Sequence, residues 1–140
     1  MFNQLFNVNL NSICLSRNAN QAIAAATWTT VQYDTIQYND GFEWDTATFE
    51  VVLNHSGIYN FSVVCGCDNV ATTGYGIALI LNGAFNKIDL LAVNGVAYHG
   101  VSFTYYLVGG SRIKVQFYNN IACNLTNAIL PNNTLTITRF

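Results

Sequence analysis

Apolar and polar residues alternate with a period of two in many parts of this chain, and this period constrains the fold more than any other feature. In the run that follows Gly57, the even positions include Asn60, Ser62 and Gly66. The odd positions are apolar: Tyr59, Phe61, Val63, Cys65 and Cys67. Successive side chains of a strand point to opposite faces, so the run predicts a half-buried strand. The same period recurs in 101–107, 112–117 and 134–138.

Shorter runs predict further strands, separated by turn-forming sequences. The turns are Asn39-Asp40-Gly41, Asn82-Gly83 and Asn94-Gly95. A hairpin is expected from Ala97 to Tyr118, with its turn at 108–111. The segment 20–26 has a helix-friendly composition but is too short to matter on its own. The other predicted strands are Ser12–Arg17, Trp28–Tyr33, Thr48–Leu53, Tyr75–Leu81 and Lys87–Val93. Eight or nine short strands predict an all-β, antiparallel β-sandwich or barrel.

Composition narrows the class of partner. A chain of 140 residues fits one domain. Only 9% of the residues are charged, against roughly 25% in an ordinary soluble domain, so the surface suits burial against other subunits. Five Lys and Arg, spread singly, form no basic patch for nucleic acid. No apolar run approaches the roughly 18 residues that span a bilayer. The N-terminus does not resemble a secretory signal, so the chain is expected to stay where it is made or to leave by cell lysis.

The four cysteines are interpreted as buried free thiols. Cys65 and Cys67 are two positions apart, which places both on one face of a strand with the wrong geometry for a disulfide between them. A zinc site built from these two with Cys14 and Cys123 is the alternative, although no paired CxxC spacing supports it. Free thiols are consistent with synthesis in a reducing compartment.

The order of aromatic and glycine motifs carries a family resemblance. WTTVQYD (28–34) is followed by GFEWD (41–45), TFEV (48–51) and SGIYNF (56–61). Later come ILNG (80–83), LVGGSRI (107–113) and the closing TLTITRF (134–140). The pattern covers about 13–140 and resembles the globular heads of complement and of the tumour-necrosis-factor-like superfamily, especially the short versions in bacteriophage virion proteins. Ser111 stands where that family usually has Asp, and the stalk that often precedes such heads is missing.

The resemblance implies a jelly roll that forms a tight homotrimer, with apolar and aromatic residues packed along the three-fold axis. A low-charge chain agrees with this expectation, because a trimer hides surface that a monomer would have to solvate. Residues 12–140 are expected to form the jelly-roll domain.

No pattern joins an acid, a base and a nucleophile, so we expect no enzyme and no cofactor. His55 is interpreted as a solvated turn residue and His99 as a core or interface histidine. Four carboxylates fall within twelve positions and are interpreted as turn residues, with an oxygen-ligand calcium site as the minor alternative. They are Asp34, Asp40, Glu43 and Asp45.

Four aromatic residues are candidates for trimer contacts or, less favoured, for stacking on sugars. Tyr98 and Tyr106 fall on the polar parity of their strand, and Trp28 and Trp44 flank loops. Residues 1–11 lie outside the family pattern, and their apolar side chains need a partner. We therefore expect an N-terminal arm that docks on a neighbouring chain through Phe2, Leu5, Phe6 and Val8.

The leading hypothesis is a viral structural protein, from a tailed phage. It would be a trimeric capsid decoration or cement protein, or a short head fibre, anchored by its arm to capsid or other virion proteins. It would be assembled in the host cytoplasm and located in the virion. The alternative is a carbohydrate- or receptor-binding module of a fibre tip, with a host-surface glycan as its partner.

Overall fold

The chain is all-β. The computed structural model describes residues 11–68, 74–91, 98–126 and 133–140, and for 86–91, 98 and 99 it describes the backbone alone. Helices are absent from these residues, so none of their segments is a helix able to cross a membrane. The strands are β1 Ser12–Arg17, β2 Gln21–Ile23, β3 Thr29–Thr30, β4 Thr35–Asn39, β5 Glu43–Asp45, β6 Glu50–Val52, β7 Gly57–Gly66, β8 Tyr75–Leu81, β9 Ala84–Leu91, β10 Tyr98–Leu107, β11 Arg112–Asn119, β12 Cys123–Leu125 and β13 Asn133–Arg139.

Two sheets make up the body of the molecule. A five-stranded sheet has the order β10-β7-β13-β1-β4. A six-stranded sheet has the order β5-β6-β11-β8-β9, with β3 paired to the free edge of β11. Strands β2 and β12 form a small separate pair. All these pairings are antiparallel, which confirms the class predicted from the alternation.

The core lies between the inner faces of the two sheets, and the alternation that predicted it is confirmed. Phe61 and Val63 of β7 are fully buried, whereas Ser62 between them is exposed. Strand β11 shows the same pattern, with Ile113 and its alternate neighbours buried. Strands such as β7, β11 and β13 place one parity in the core and the other outside, so each sheet has one outer face.

The hairpin expected from Ala97 to Tyr118 is wrong. Strand β10 pairs along its length with β7, whereas β11 pairs with β8, β6 and β3 in the other sheet. The connection 108–111 therefore crosses from one sheet to the other. Two successive strands that each carry one apolar face can bury both faces by sandwiching a core, and alternation does not distinguish this from direct pairing.

A real hairpin joins β8 and β9 at the predicted Asn82-Gly83 turn. Both residues have positive φ, 49° and 83°, as a two-residue turn of type I′ requires. The predicted turn at Asn94-Gly95 lies outside the described residues.

Several predicted strands differ in length from the observed ones. The predictions Ser12–Arg17 and Tyr75–Leu81 match β1 and β8, whereas Trp28–Tyr33 shrinks to the two residues of β3. The helix-friendly segment 20–26 contains strand β2 instead. Gln21 explains this change, because its side-chain amide donates to Thr30 O at 2.7 Å and accepts from Gln32 N at 2.8 Å. Tertiary hydrogen bonds therefore override local propensity here.

Candidate functional site

Two of the four carboxylates considered for a calcium site, Asp34 and Asp45, are used in separate interactions. Asp34 accepts hydrogen bonds from the backbone N–H groups of Asn18 and Ala19 and forms an ion pair with Arg17 at 3.5 Å. Asp45 accepts from the backbone N–H of Ala47 and pairs with a guanidinium on another strand. No group of three metal-ligating side chains occurs among the described residues. Asp34 and Asp45 therefore fix loops and strand ends.

The four cysteines are free thiols, and three of them are buried. Burial raises the pKa of Cys65 to about 12, so this thiol stays protonated. Asn119 donates its side-chain N–H to the sulfurs of Cys67 and Cys123, at 3.5 and 3.2 Å. Cys14 is only half-buried and lies on the outer parity of β1. Buried, protonated thiols are packing groups rather than nucleophiles.

The outer face of the five-stranded sheet is polar but carries no charge among its described residues. We call it the hydroxyl face. Serine, threonine and asparagine dominate it, joined by one cysteine and one valine. Its central residues are Ser12, Cys14, Asn60, Ser62, Val64, Ser102, Thr104, Thr134, Thr136 and Thr138.

Many polar groups of the hydroxyl face bond to one another across strands. Asn60 Nδ2 lies 3.0 Å from Ser102 Oγ and 3.1 Å from Thr104 Oγ1. The Ser12 hydroxyl donates to Ile137 O at 3.1 Å. These groups have partners without water, so covering them with another surface requires less desolvation than for free hydroxyls.

One end of the hydroxyl face is apolar. Tyr106 is 69% exposed and pairs across strands with Ile58, which is 50% exposed. Phe140 donates its backbone N–H to Ile58 O and is 67% exposed. On the β4 edge, Ile36 and Tyr38 are also about half exposed. Large apolar side chains at the margins of an uncharged face are typical of a protein interface.

The outer face of the six-stranded sheet carries a cluster of three aromatic rings. Trp28 lies 5.4 Å from Tyr118 and 5.6 Å from Phe85, measured between ring centroids, and the second pair is T-shaped. Trp28 precedes β3 beside β11, whereas Phe85 belongs to β9 on the far side of β8. The rings therefore reach towards each other across β11 and β8. We call this cluster the aromatic platform.

The aromatic platform explains why all residues of β8 are buried. Tyr75, Ile77, Leu79 and Leu81 belong to the core, but Ala78 and Ile80 have the opposite parity and yet are 0% and 2% exposed. The aromatic rings of the platform lie over the outer face of β8, with Phe85 as the cross-strand partner of Ile80. The small side chain of Ala78 leaves room for these rings.

Polar side chains of β11 and β3 border the platform. Gln116 is cross-strand partner to both Ala78 and Thr30, and its Nε2 is 3.4 Å from Thr30 Oγ1. Its Oε1 is buried and has no hydrogen-bond partner among the described residues. Lys114 pairs across strands with Ile80 and forms no ion pair within the described part of the chain.

The residues predicted as contacts lie in different places. Trp28 belongs to the aromatic platform and Tyr106 to the hydroxyl face, so they do not form one site. Trp44 packs against the core at its edge and lies 6.2 Å from Phe49. Tyr98 pairs with Gly66 through β10, and its side chain, like that of His99, is outside the description. Phe2, Leu5, Phe6 and Val8 also lie outside the described residues.

Sequence reasoning missed Phe85, Tyr118 and Gln116 as members of one cluster. Alternation placed Tyr118 on the same parity as Lys114 and Gln116, which was a usable signal. It did not indicate that β9 and β3 lie on either side of β11 and β8, because strand order is not encoded by the period of any single strand.

Comparisons with known proteins identify the type of fold. No known protein-family profile matches the chain, and no curated protein matches it in sequence. Three crystal structures of murine APRIL, at pH 8.0, 5.0 and 8.5, each match with a TM-score of 0.69 over 94% of this chain and 100% of theirs. Their sequence identities are 16%, 16% and 14%. APRIL is a jelly-roll protein of the tumour-necrosis-factor family, so the predicted jelly roll of that type is confirmed.

Proposed function

We propose that this chain is a structural protein that assembles into a homotrimer through its hydroxyl face. The observation that carries the proposal is the absence of charge across the described outer residues of five adjacent strands. A charged group buried at an interface needs a paired partner, whereas small hydroxyls that already bond to each other do not. The exposed Tyr106, Ile58 and Phe140 supply the apolar area that drives association.

A trimer, rather than another oligomer, follows from the family that the motifs resemble. Three copies related by a three-fold axis would bring the apolar end of each hydroxyl face to the axis. Short, stiff side chains such as Thr136 lose little rotamer entropy when they are covered.

The larger assembly that we propose is a virion of a tailed phage. The trimer would decorate or cement the capsid, or form a short head fibre, and residues 1–11 would anchor it there. Support for this comes from the charge-poor composition and from the phage-type motif order of 28–61.

Light scattering on the native full chain tests the assembly. We expect three times the chain mass for the wild type and a monomer for Ser62→Asp, which places a charge at the centre of the hydroxyl face. Ala22→Asp adds the same charge at an exposed position of β2, outside that face, and should remain trimeric. A monomeric wild type would refute the proposal.

Capsid binding tests the anchor. The full chain and a version lacking residues 1–11 are mixed with capsids from which the protein is missing, and the bound protein is measured after sedimentation. We expect both versions to be trimers and only the full chain to sediment with capsids. Equal binding of both versions would rule out the arm as anchor.

A further inference from the structure

We infer that the aromatic platform, Trp28, Phe85 and Tyr118, is a carbohydrate-binding site, with Gln116 and Thr30 as its hydrogen-bonding neighbours. The platform lies on the outer face of the six-stranded sheet, opposite the hydroxyl face. All of its residues come from one copy of the chain, so the inference does not depend on trimer formation.

The geometry of the rings suits the apolar side of a sugar. Phe85 is 52% exposed and stands at 67° to the indole of Trp28. The C–H groups on one side of a pyranose ring pack on the electron-rich face of an aromatic ring. Contacts with Phe85 and Tyr118 hold Trp28 in place, so a ligand would not have to pay the entropy of ordering it.

The polar groups beside the rings suit the hydroxyls of a sugar. The Gln116 amide is poorly satisfied, because its Oε1 has no partner among the described residues and its Nε2 makes only a 3.4 Å contact. A rotation of this side chain would offer both an acceptor and a donor. Lys114 adds a cation that forms no ion pair with a described residue. A few placed polar groups around apolar surface are typical of a small-ligand site.

Other occupants fit the platform less well. Three aromatic side chains bury at most about 750 Å², and these rings already cover part of one another. A stable protein interface needs about 800 Å² on each partner. Nucleic acid would need several cations along one surface. Among the described residues of this face, Arg112 is paired with Asp45 and Glu50, which leaves Lys114 as the one cation without an ion pair. A sugar requires only the area of one or two rings.

An array of immobilised neutral and acidic oligosaccharides, probed with the full chain, tests the inference. Oligosaccharides that bind on the array are then added in increasing concentration to a solution of the Trp44→Phe variant. Trp28 is the sole tryptophan of this variant, so its fluorescence reports binding. We expect at least one oligosaccharide to bind and to change the emission of Trp28.

Variants locate the site. Phe85→Ala removes a half-exposed ring at the sheet edge and should weaken binding at least tenfold, and Trp28→Ala should abolish it. Tyr106→Ala, a matched aromatic change on the hydroxyl face, should leave the affinity unchanged.

Ser62→Asp, if monomeric, should still bind the free sugar, which separates this inference from the proposed trimer. If no oligosaccharide binds to the folded protein, or if binding survives Phe85→Ala and Trp28→Ala, the inference is wrong. A loss of trimer in Phe85→Ala would also overturn it, because the platform would then be a subunit contact.

Discussion

The two outer faces of this sandwich differ in how their side chains are satisfied. On the hydroxyl face, small polar groups such as Asn60 and Ser12 bond to neighbouring strands, and the large apolar groups stand exposed at the margins. On the opposite face, the rings of Trp28 and Phe85 pack together, and the amide oxygen of Gln116 beside them has no hydrogen-bond partner among the described residues. Many polar groups of the first face bond to one another, whereas the second face combines ring surface with an amide oxygen that has no partner among the described residues.

This difference indicates two kinds of partner for one fold. An uncharged face whose polar groups largely bond to one another gains most from a large, dry contact, because many of its groups already have partners. A face with rings and an unsatisfied amide gains most from a small ligand that supplies hydrogen bonds at one point. The alternation of each strand builds both faces at once, since the parity that leaves the core is free to vary.

The largest expected difference between the faces is in stability. Trp28→Ala removes the ring that packs against Phe85 and Tyr118 and should lower the free energy of unfolding by about 2 kcal/mol, below the cost for a fully buried Trp because this ring is only partly buried. Tyr106→Ala should cost less than about 0.5 kcal/mol in the isolated chain. Urea unfolding at two protein concentrations measures both.

Concentration dependence sharpens this comparison. Stability that comes from subunit contacts changes with protein concentration, whereas stability within one chain does not. We therefore expect the loss in Tyr106→Ala to grow under conditions where the wild type is trimeric, and the loss in Trp28→Ala to stay constant. The reverse pattern would mean that the subunits contact each other through the aromatic platform and not through the hydroxyl face.

Much of the fold was predictable from the sequence because alternation reports burial directly. The bounds of β1 and β8 and the buried parity of β7 followed from the period, and Asn82-Gly83 predicted its turn from backbone chemistry. The partner of each strand did not follow, since the period of β10 is the same whether it pairs with β11 or faces it across a core. That is why the hairpin over 97–118 was wrong.

The candidate sites were less predictable than the fold. Trp28 was a candidate from its residue type, but its partners Phe85 and Tyr118 lie 57 and 90 positions away in sequence. Only strand order brings them together, through pairings of β3, β11, β8 and β9. Trp44, chosen by the same reasoning, packs against the core instead. An aromatic beside a loop therefore indicates a site only once its cross-strand neighbours are known.

Thiol labelling gives a second test of the hydroxyl face. Cys14 is half-buried on that face and lies 3.5 Å from Thr136 Oγ1, whereas Cys65, Cys67 and Cys123 are buried in the chain itself. We expect iodoacetamide to modify Cys14 first, and at least tenfold more slowly in the proposed wild-type trimer than in Ser62→Asp. Mass spectrometry of the time course measures the rates. Equal rates in trimer and monomer would show that Cys14 lies outside the subunit contact.

Lowering the pH should destabilise the six-stranded sheet, where Asp45 lies, rather than the hydroxyl face, which carries no charge among its described residues. The backbone N–H of Ala47 and then the Arg112 guanidinium lower the pKa of Asp45 below its ordinary value of 3.8. A carboxylate with a lowered pKa stabilises the fold above its unfolded pKa, and this contribution is lost as the pH falls below about 4 through the lower folded value. We expect the melting temperature to fall in that window, and to fall less in Asp45→Asn. Circular dichroism melts from pH 6 to pH 2.5 measure this. An unchanged pH dependence in Asp45→Asn would place the acid sensitivity in other carboxylates.

A gain in stability is expected in the core beneath the two faces. The Tyr33 hydroxyl is buried and has no hydrogen-bond partner among the described residues, and burial raises the pKa of this phenol well above its usual value. It is therefore a protonated donor that folding has removed from water without replacement. Tyr33→Phe should raise the free energy of unfolding by about 1 kcal/mol. Tyr59→Phe is the matched control, because the Tyr59 hydroxyl donates to His55 O and its loss should cost about 1 kcal/mol. Urea unfolding of the two variants compares them directly, and a loss of stability in Tyr33→Phe would mean that this hydroxyl has a partner after all.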